Sequence, residues 1–250
     1  MSSSIWTRCA GDSEIRPLRL APWRAVEAQH ELSTRKLVSN AQEQALLEEL
    51  IDRVKPPDLT NGRVHYLLAT PFRYPPLRWG SRFGTRQERG IWYGSETRDA
   101  MFAEVAFYRF VFLAGTHADL GTLTTMVTTF RVGARSNRGI DLVAPPFASH
   151  RKTIASPVSY SETQALGRAM REAGVELFRY PSARDPRGGV NVAAFTPSVF
   201  GRAKPRDIDN WHCTASKTLV ELVKRDYFGH ALFMFARETF LVDGSLPVPA

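Results

Sequence analysis

A glutamate, a tyrosine and a group of arginines are the residues of this 250-residue chain whose types and spacing best suit chemistry. In RGIWYGSETRDAMFAE, residues 89–104, a short apolar run ending at Tyr93 gives way to a helical pattern. Ala100, Met101, Phe107, Tyr108 and Val111 form the apolar stripe of that helix, and Glu104 stands in its middle at spacings of three and four. A carboxylate on a core-facing stripe needs a partner, because desolvating it alone is costly or forces protonation. Two readings are open: a structural salt bridge to an arginine, or a group turned toward a ligand.

Between residues 73 and 89 stand five arginines (Arg73, Arg78, Arg82, Arg86, Arg89) against one acid, Glu88. Guanidinium groups form forked bonds to phosphate and carboxylate, so such a cluster suits an anionic ligand, although a solvated basic face would look the same. Arg73 and Arg82 lie in FRYPP and GSRFG, loops that Pro and Gly stiffen and open to close approach. Downstream, YPSARDPRGGVNVAAF adds Ser182, Arg184 and Asn191 between two apolar runs.

The elements that must position these groups follow from periodicity. Residues 22–32 and about 40–54 have helical spacing, the second with Ser39 or Asn40 as cap and Pro56 and Pro57 as stop. From Val64 onward the texture changes to short β-rich runs (VHYLLAT, GIWYGS, TTMVTTFRV, LFRYPS, VNVAAF, ALFMFARETFLV) separated by Arg-, Gly- and Pro-rich loops. Two helices interrupt them, one over about 97–112 and one from the capping-box pattern Ser161-Glu162-Thr163-Gln164 to near Gly174. Strands outnumber helices without regular alternation, which predicts an α+β fold. The expected organisation is an N-terminal helical extension, 1–60, followed by a domain over 61–250.

Composition narrows the class. Residues 1–60 carry 8 basic and 9 acidic side chains, so the net charge of +8 belongs to the remainder. Nucleic acid fits that charge, but no helix-turn-helix, zinc-finger or ribonucleoprotein motif accompanies it, so direct nucleic-acid binding is not expected. No run approaches a membrane span and MSSSIWTRCAGDSEIRPL lacks the order of a signal peptide, so the expected compartment is cytoplasmic, without membrane association. Cys9 and Cys213 stand alone and the six histidines are scattered without HExxH, so no disulfide framework and no metal is expected. Neither a GxxxxGK[ST] loop nor GxGxxG nor GxSxG occurs, and Ser95 after Gly94 reads as a turn or cap.

Arg73, then GSRFG, then GIWYGSETRDAMFAE, then YSETQALGRAMREAGVELFRYPSARDPRGGVNVAAF form an order that resembles the RES domain, over about residues 64–200. The resemblance implies a toxin of a bacterial toxin-antitoxin pair, neutralised by an Xre-type antitoxin that carries a helix-turn-helix domain, with a homo-oligomer inside that complex as one arrangement. It implies a mixed β-sheet core related to ADP-ribosyltransferase toxins and an activity that consumes NAD as substrate, without another cofactor. By matching position, Arg73, Tyr93 and Glu104 take catalytic roles. Arg73, Arg82, Tyr93, Ser182 and Asn191 contact NAD. One departure is that Arg82-Phe83-Gly84 stands where the family usually has an Arg-Trp-Asn-like run. The acceptor stays open: phosphate gives a phosphorylase, water a glycohydrolase, a protein side chain an ADP-ribosyltransferase. The alternative from the residues alone is a non-enzymatic basic module that binds nucleic acid or another anionic partner.

Overall fold

A computed structural model describes residues 4–27, 38–57, 60, 62–76, 79–118, 120–226 and 229–247. Its strands are β1 (Arg16–Leu20), β2 (Trp23–Glu27), β3 (Trp92–Ser95), β4 (Leu123–Arg131), β5 (Ala134–Asp141), β6 (Leu177–Pro181), β7 (Val190–Ala194), β8 (Arg206–Ala215), β9 (Leu219–Asp226) and β10 (Gly229–Ala236). They form one sheet in the order β1-β5-β6-β7-β3-β2-β4-β8-β9-β10, in which β5 and β6 are parallel and the other pairs antiparallel. The helices are α1 (Ile5–Arg8), α2 (Ala41–Val54), α3 (Tyr66–Ala69), α4 (Arg98–Gly115), α5 (Arg151–Ile154) and α6 (Ser161–Glu172). The fold is α+β, as expected.

Helix α4 begins where Thr97 accepts a hydrogen bond from the Ala100 amide and Asp99 sits in the positive first turn. It buries Met101, Phe102, Phe107, Phe110 and Leu113 against Val127, Trp211, Leu222 and Phe233 of the sheet. Beside it, α6 packs Leu166 and Met170 onto Ile140, Phe178 and Ala193. The other face of the sheet is covered by α3 and short turns, where Leu68, Phe72 and Phe200 meet Trp92, Phe130 and Val192.

One join in the sheet is incomplete. β2 pairs with β4 along its whole length, from Trp23 opposite Arg131 to Glu27 opposite Val127. It meets β3 only at Trp23 opposite Ser95. The two strands therefore part after one pair, and the sheet opens between them. Arg98 at the start of α4 holds β2 in place, its guanidinium 4.1 Å from the Trp23 ring and donating to Asp209 at 2.6 Å.

The structure corrects several expectations. Residues 23–27 are a strand, not part of a helix over 22–32, and 28–32 lie outside the described residues. Alternation decides this: Trp23 and Ala25 pack with the α4 cluster, whereas Val26 packs with the opposite one. The stretch VHYLLAT is not a strand but helix α3, capped at His65, whose Nδ1 accepts from the Leu67 amide. Residues 1–60 are not a helical appendage either, since β1 is an edge strand of the common sheet and β2 lies inside it. α2 is a helix as expected, with Asn40 Oδ1 accepting from the Gln42 and Glu43 amides. At α6 the capping box does not form: Ser159 Oγ accepts from the Ser161 amide, and Gln164 donates instead to the Trp79 and Ser81 carbonyls.

Candidate active site

The parting of β2 and β3 opens a cleft of about 690 Å³, walled by β2, β3, the 81–82 turn and α4. Glu104, Tyr93, Arg82 and Asn191 line it, together with Arg24, Ser95, Tyr108, Tyr160 and Tyr180. Its size and its mix of aromatic walls with a few fixed polar groups suit a small-molecule ligand.

Glu104 is held by two neutral donors. Ser182 Oγ donates to its Oε1 at 2.9 Å and Asn191 Nδ2 donates to the same oxygen at 2.7 Å. Among the described residues no lysine or arginine forms an ion pair with it, and its Oε2 takes no hydrogen bond. The salt-bridge reading therefore gives way to the other one: the carboxylate is oriented through one oxygen and presents the second to the cleft. Its supports are themselves fixed. Ser95 Oγ donates to Asn191 Oδ1 at 2.7 Å, which leaves the amide nitrogen to face Glu104. Ser182 Oγ accepts from the Arg184 and Asp185 amides, each at 3.1 Å, so its proton is directed at Glu104. Ser95 thus belongs to the site, a role that its reading as a turn residue missed.

Tyr93 puts its ring on the cleft wall while its hydroxyl holds the turn that carries Arg82. It donates to Ser81 Oγ at 3.0 Å and accepts from the Phe83 amide at 3.3 Å. Burial pushes this phenol up to about 12, so it stays protonated near neutrality. Burial also raises Tyr180, with Glu104 contributing. The hydroxyls of Tyr108 and Tyr160 meet at 3.4 Å. Two phenols raised by burial, Tyr93 and Tyr180, thus line the cleft with one carboxylate.

Arg82 is buried, spends Nη1 on the Ile154 and Ser156 carbonyls (3.1 and 2.9 Å) and lies 4.7 Å from the Tyr160 ring centroid. Its Nη2 and Nε have no partner among the described residues, so one edge of the fork is open for an anion. Arg73 is a correction. It lies outside the cleft and donates through Nε, at 2.9 Å, and Nη2 to the Pro56 carbonyl, joining the loop after α2 to the turn after α3. Arg86 and Arg89 are exposed and Arg78 lies outside the described residues, so the arginines between 73 and 89 do not converge. Arg184 is buried against the Phe107 ring at 3.5 Å and donates to the Pro157 carbonyl, supporting the site from behind. With Arg73 in a purely structural position, Arg73→Ala lowers stability by about 1 kcal/mol and leaves the affinity of the cleft for its ligand unchanged. A thermal melt and a titration of the same sample check both halves.

The second guanidinium in the cleft is Arg24, from β2. It reaches across the parting to donate to the Tyr93 carbonyl and lies 5.3 Å from the Trp92 ring centroid. Its Nε is buried without a hydrogen-bond partner, and burial lowers the guanidinium to about 10. The helical reading of 22–32 concealed it. Alternation puts Arg24 on the face away from α4, beside Trp92, and it lines the cleft because the sheet is open where its side chain crosses to the Tyr93 carbonyl.

A split mixed sheet with an anchored carboxylate and two guanidinium groups in the split defines an α+β protein with a small-molecule cleft. Residues 55–216 match the family model described as RES domain, and the chain belongs to the RES domain family. That membership supports a toxin-like enzyme with NAD-related chemistry as the coarse class. No curated protein matches the chain. β1 and β2 precede the matched segment yet lie within its sheet. Among the described residues no helix is long and apolar enough to cross a membrane.

Proposed function

We propose that this protein is the toxin of a toxin-antitoxin pair and cleaves the bond between nicotinamide and ribose in NAD. The observation that carries the reading is Glu104, a carboxylate with no cationic partner among the described residues, fixed through Oε1 and open to the cleft at Oε2. Breaking the C–N bond sends its electron pair to the nicotinamide nitrogen and leaves an oxocarbenium-like ribose. A fixed anion near that ribose stabilises the developing positive charge and holds a ribose hydroxyl. Ser182 and Asn191 keep Glu104 from rotating, so their contribution is made through it. Tyr93 and Tyr180 supply flat apolar walls for the leaving ring. The pyrophosphate takes the open edge of the Arg82 fork and a single donor from Arg24, which replaces Arg73 as an NAD contact. A face that only binds phosphate has no use for an inward carboxylate, which is why the non-enzymatic reading is set aside. The protein partner in this reading is an Xre-type antitoxin with a helix-turn-helix domain.

The test is incubation of purified protein with NAD, with and without inorganic phosphate, measuring free nicotinamide and identifying the ADP-ribose product. Nicotinamide release is expected, and the product names the acceptor: a phosphorylated ADP-ribose, free ADP-ribose or a modified protein. Absence of nicotinamide under both conditions, with no protein modified, overturns the reading.

A further inference from the structure

The cleft continues past the part assigned above. Along α4 its lining runs from Glu104 through Val105, Tyr108 and Arg109 to Phe112, about 12 Å at the helical rise. Opposite stand Ala25, Glu27 and Val127 from β2 and β4. At this far end Arg109 pairs with Glu27 at 2.8 Å. Tyr108 and Phe112, one turn apart, are each 55% exposed although the helix buries its other large apolar groups. Phe112 makes no ring contact with another aromatic among the described residues. An aromatic left open on the wall of a cleft, rather than on an outer face, offers a stacking surface to a ligand.

We infer that this distal slot between α4 and β2 binds the adenosine half of the dinucleotide, with the adenine ring against Phe112. The inference rests on the NAD reading and extends it. With the nicotinamide ribose at Glu104 and the pyrophosphate at Arg24 and Arg82, the remaining half lies one phosphate bridge away, and the distal slot is the continuation of the same cleft. Its walls are apolar where a base needs contact, and polar at the Glu27–Arg109 end. Phe112 is then a specificity-determining residue: it separates NAD from nicotinamide mononucleotide, which has the same scissile bond and no adenosine.

Two measurements test this on the full chain. Equilibrium binding of AMP to wild type, Phe112→Ala and Phe112→Tyr is expected to weaken about tenfold in the alanine variant, the scale of one lost base–aromatic stack, and to be restored by tyrosine. The ratio of kcat/KM for NAD over that for nicotinamide mononucleotide is expected to fall by a similar factor in Phe112→Ala. Because Phe112 is exposed, its truncation is expected to leave the fold intact, and circular dichroism of the variants checks this. No AMP binding by wild type, equal AMP binding by all three proteins, or an unchanged substrate ratio overturns the inference. Failure of the NAD-cleavage reading looks different: neither substrate releases nicotinamide, while AMP still binds in a Phe112-dependent manner.

Discussion

Glu104→Gln is expected to lower nicotinamide release from saturating NAD by on the order of 10²–10³-fold, the scale of one preorganised electrostatic group, with KM little changed. The substitution is chosen for what it preserves. Glutamine keeps the size of the side chain and one carbonyl oxygen, which still accepts from Ser182 and Asn191 where Oε1 does now. What it removes is the negative charge beside the developing cation, an interaction strongest in the transition state. A thermal midpoint within about 3 °C of wild type, equivalent to roughly 1 kcal/mol in a domain of this size, shows that the fold survives. Single-turnover rates with and without the substitution give the comparison, and unchanged turnover removes Glu104 from the mechanism. Asn191→Ala and Ser182→Ala are informative beside it, because each leaves the charge and releases one of its two restraints.

Arg24→Met produces the second large effect, and it separates binding from stability. Methionine keeps an apolar stem against the Trp92 ring while deleting the guanidinium. Without ligand, Arg24 is a charge the fold does not favour: burial lowers it to about 10, and its Nε lacks a partner. Removing such a group leaves the free protein within about 1 kcal/mol of wild type, because the relieved burial of charge offsets the lost bond to the Tyr93 carbonyl. With NAD present the loss is larger. Losing a charge-assisted contact to pyrophosphate costs about 1.5–3 kcal/mol, so kcat/KM falls about 10- to 150-fold. The stabilisation that NAD confers on wild type in a thermal melt, which follows from its binding the native state, shrinks accordingly. Melts of both proteins with and without NAD, beside steady-state kinetics, measure this. A variant that melts lower without ligand and binds NAD normally would return Arg24 to a structural role.

The two substitutions differ in how far sequence reasoning leads to them. Glu104 is visible because a carboxylate interrupts an apolar stripe at helical spacing, a local conflict that needs no tertiary information to detect. Tyr93, Ser182 and Asn191 follow from their order along the chain and its resemblance to a family. Arg24 does not, since PWRAVEAQHEL matches helical spacing and the pairing that makes it a strand is with residues about a hundred positions away. Arg73 fails in the opposite direction. Its loop reads as stiff and its type suits an anion, but whether a guanidinium meets a ligand or a nearby carbonyl depends on the neighbours that folding brings, and here it meets Pro56.

From local patterns alone come the α+β class, α4 with its capped start, α6, and the strands β3, β4, β6, β7 and β10, each carried by a periodicity spanning a few residues. β1, β5, β8 and β9 escape notice, β9 even though Leu219-Val220-Glu221-Leu222-Val223 is itself a β-rich run. Tertiary structure alone decides that β2 enters the sheet beside β3, that the two part after one pair, and that the cleft between them receives Arg24 rather than Arg73. The physical reason is that propensity and spacing describe a residue's relation to its near neighbours along the chain. A split sheet is made of long-range hydrogen bonds, and the pairing it omits between β2 and β3 is the reason the site exists.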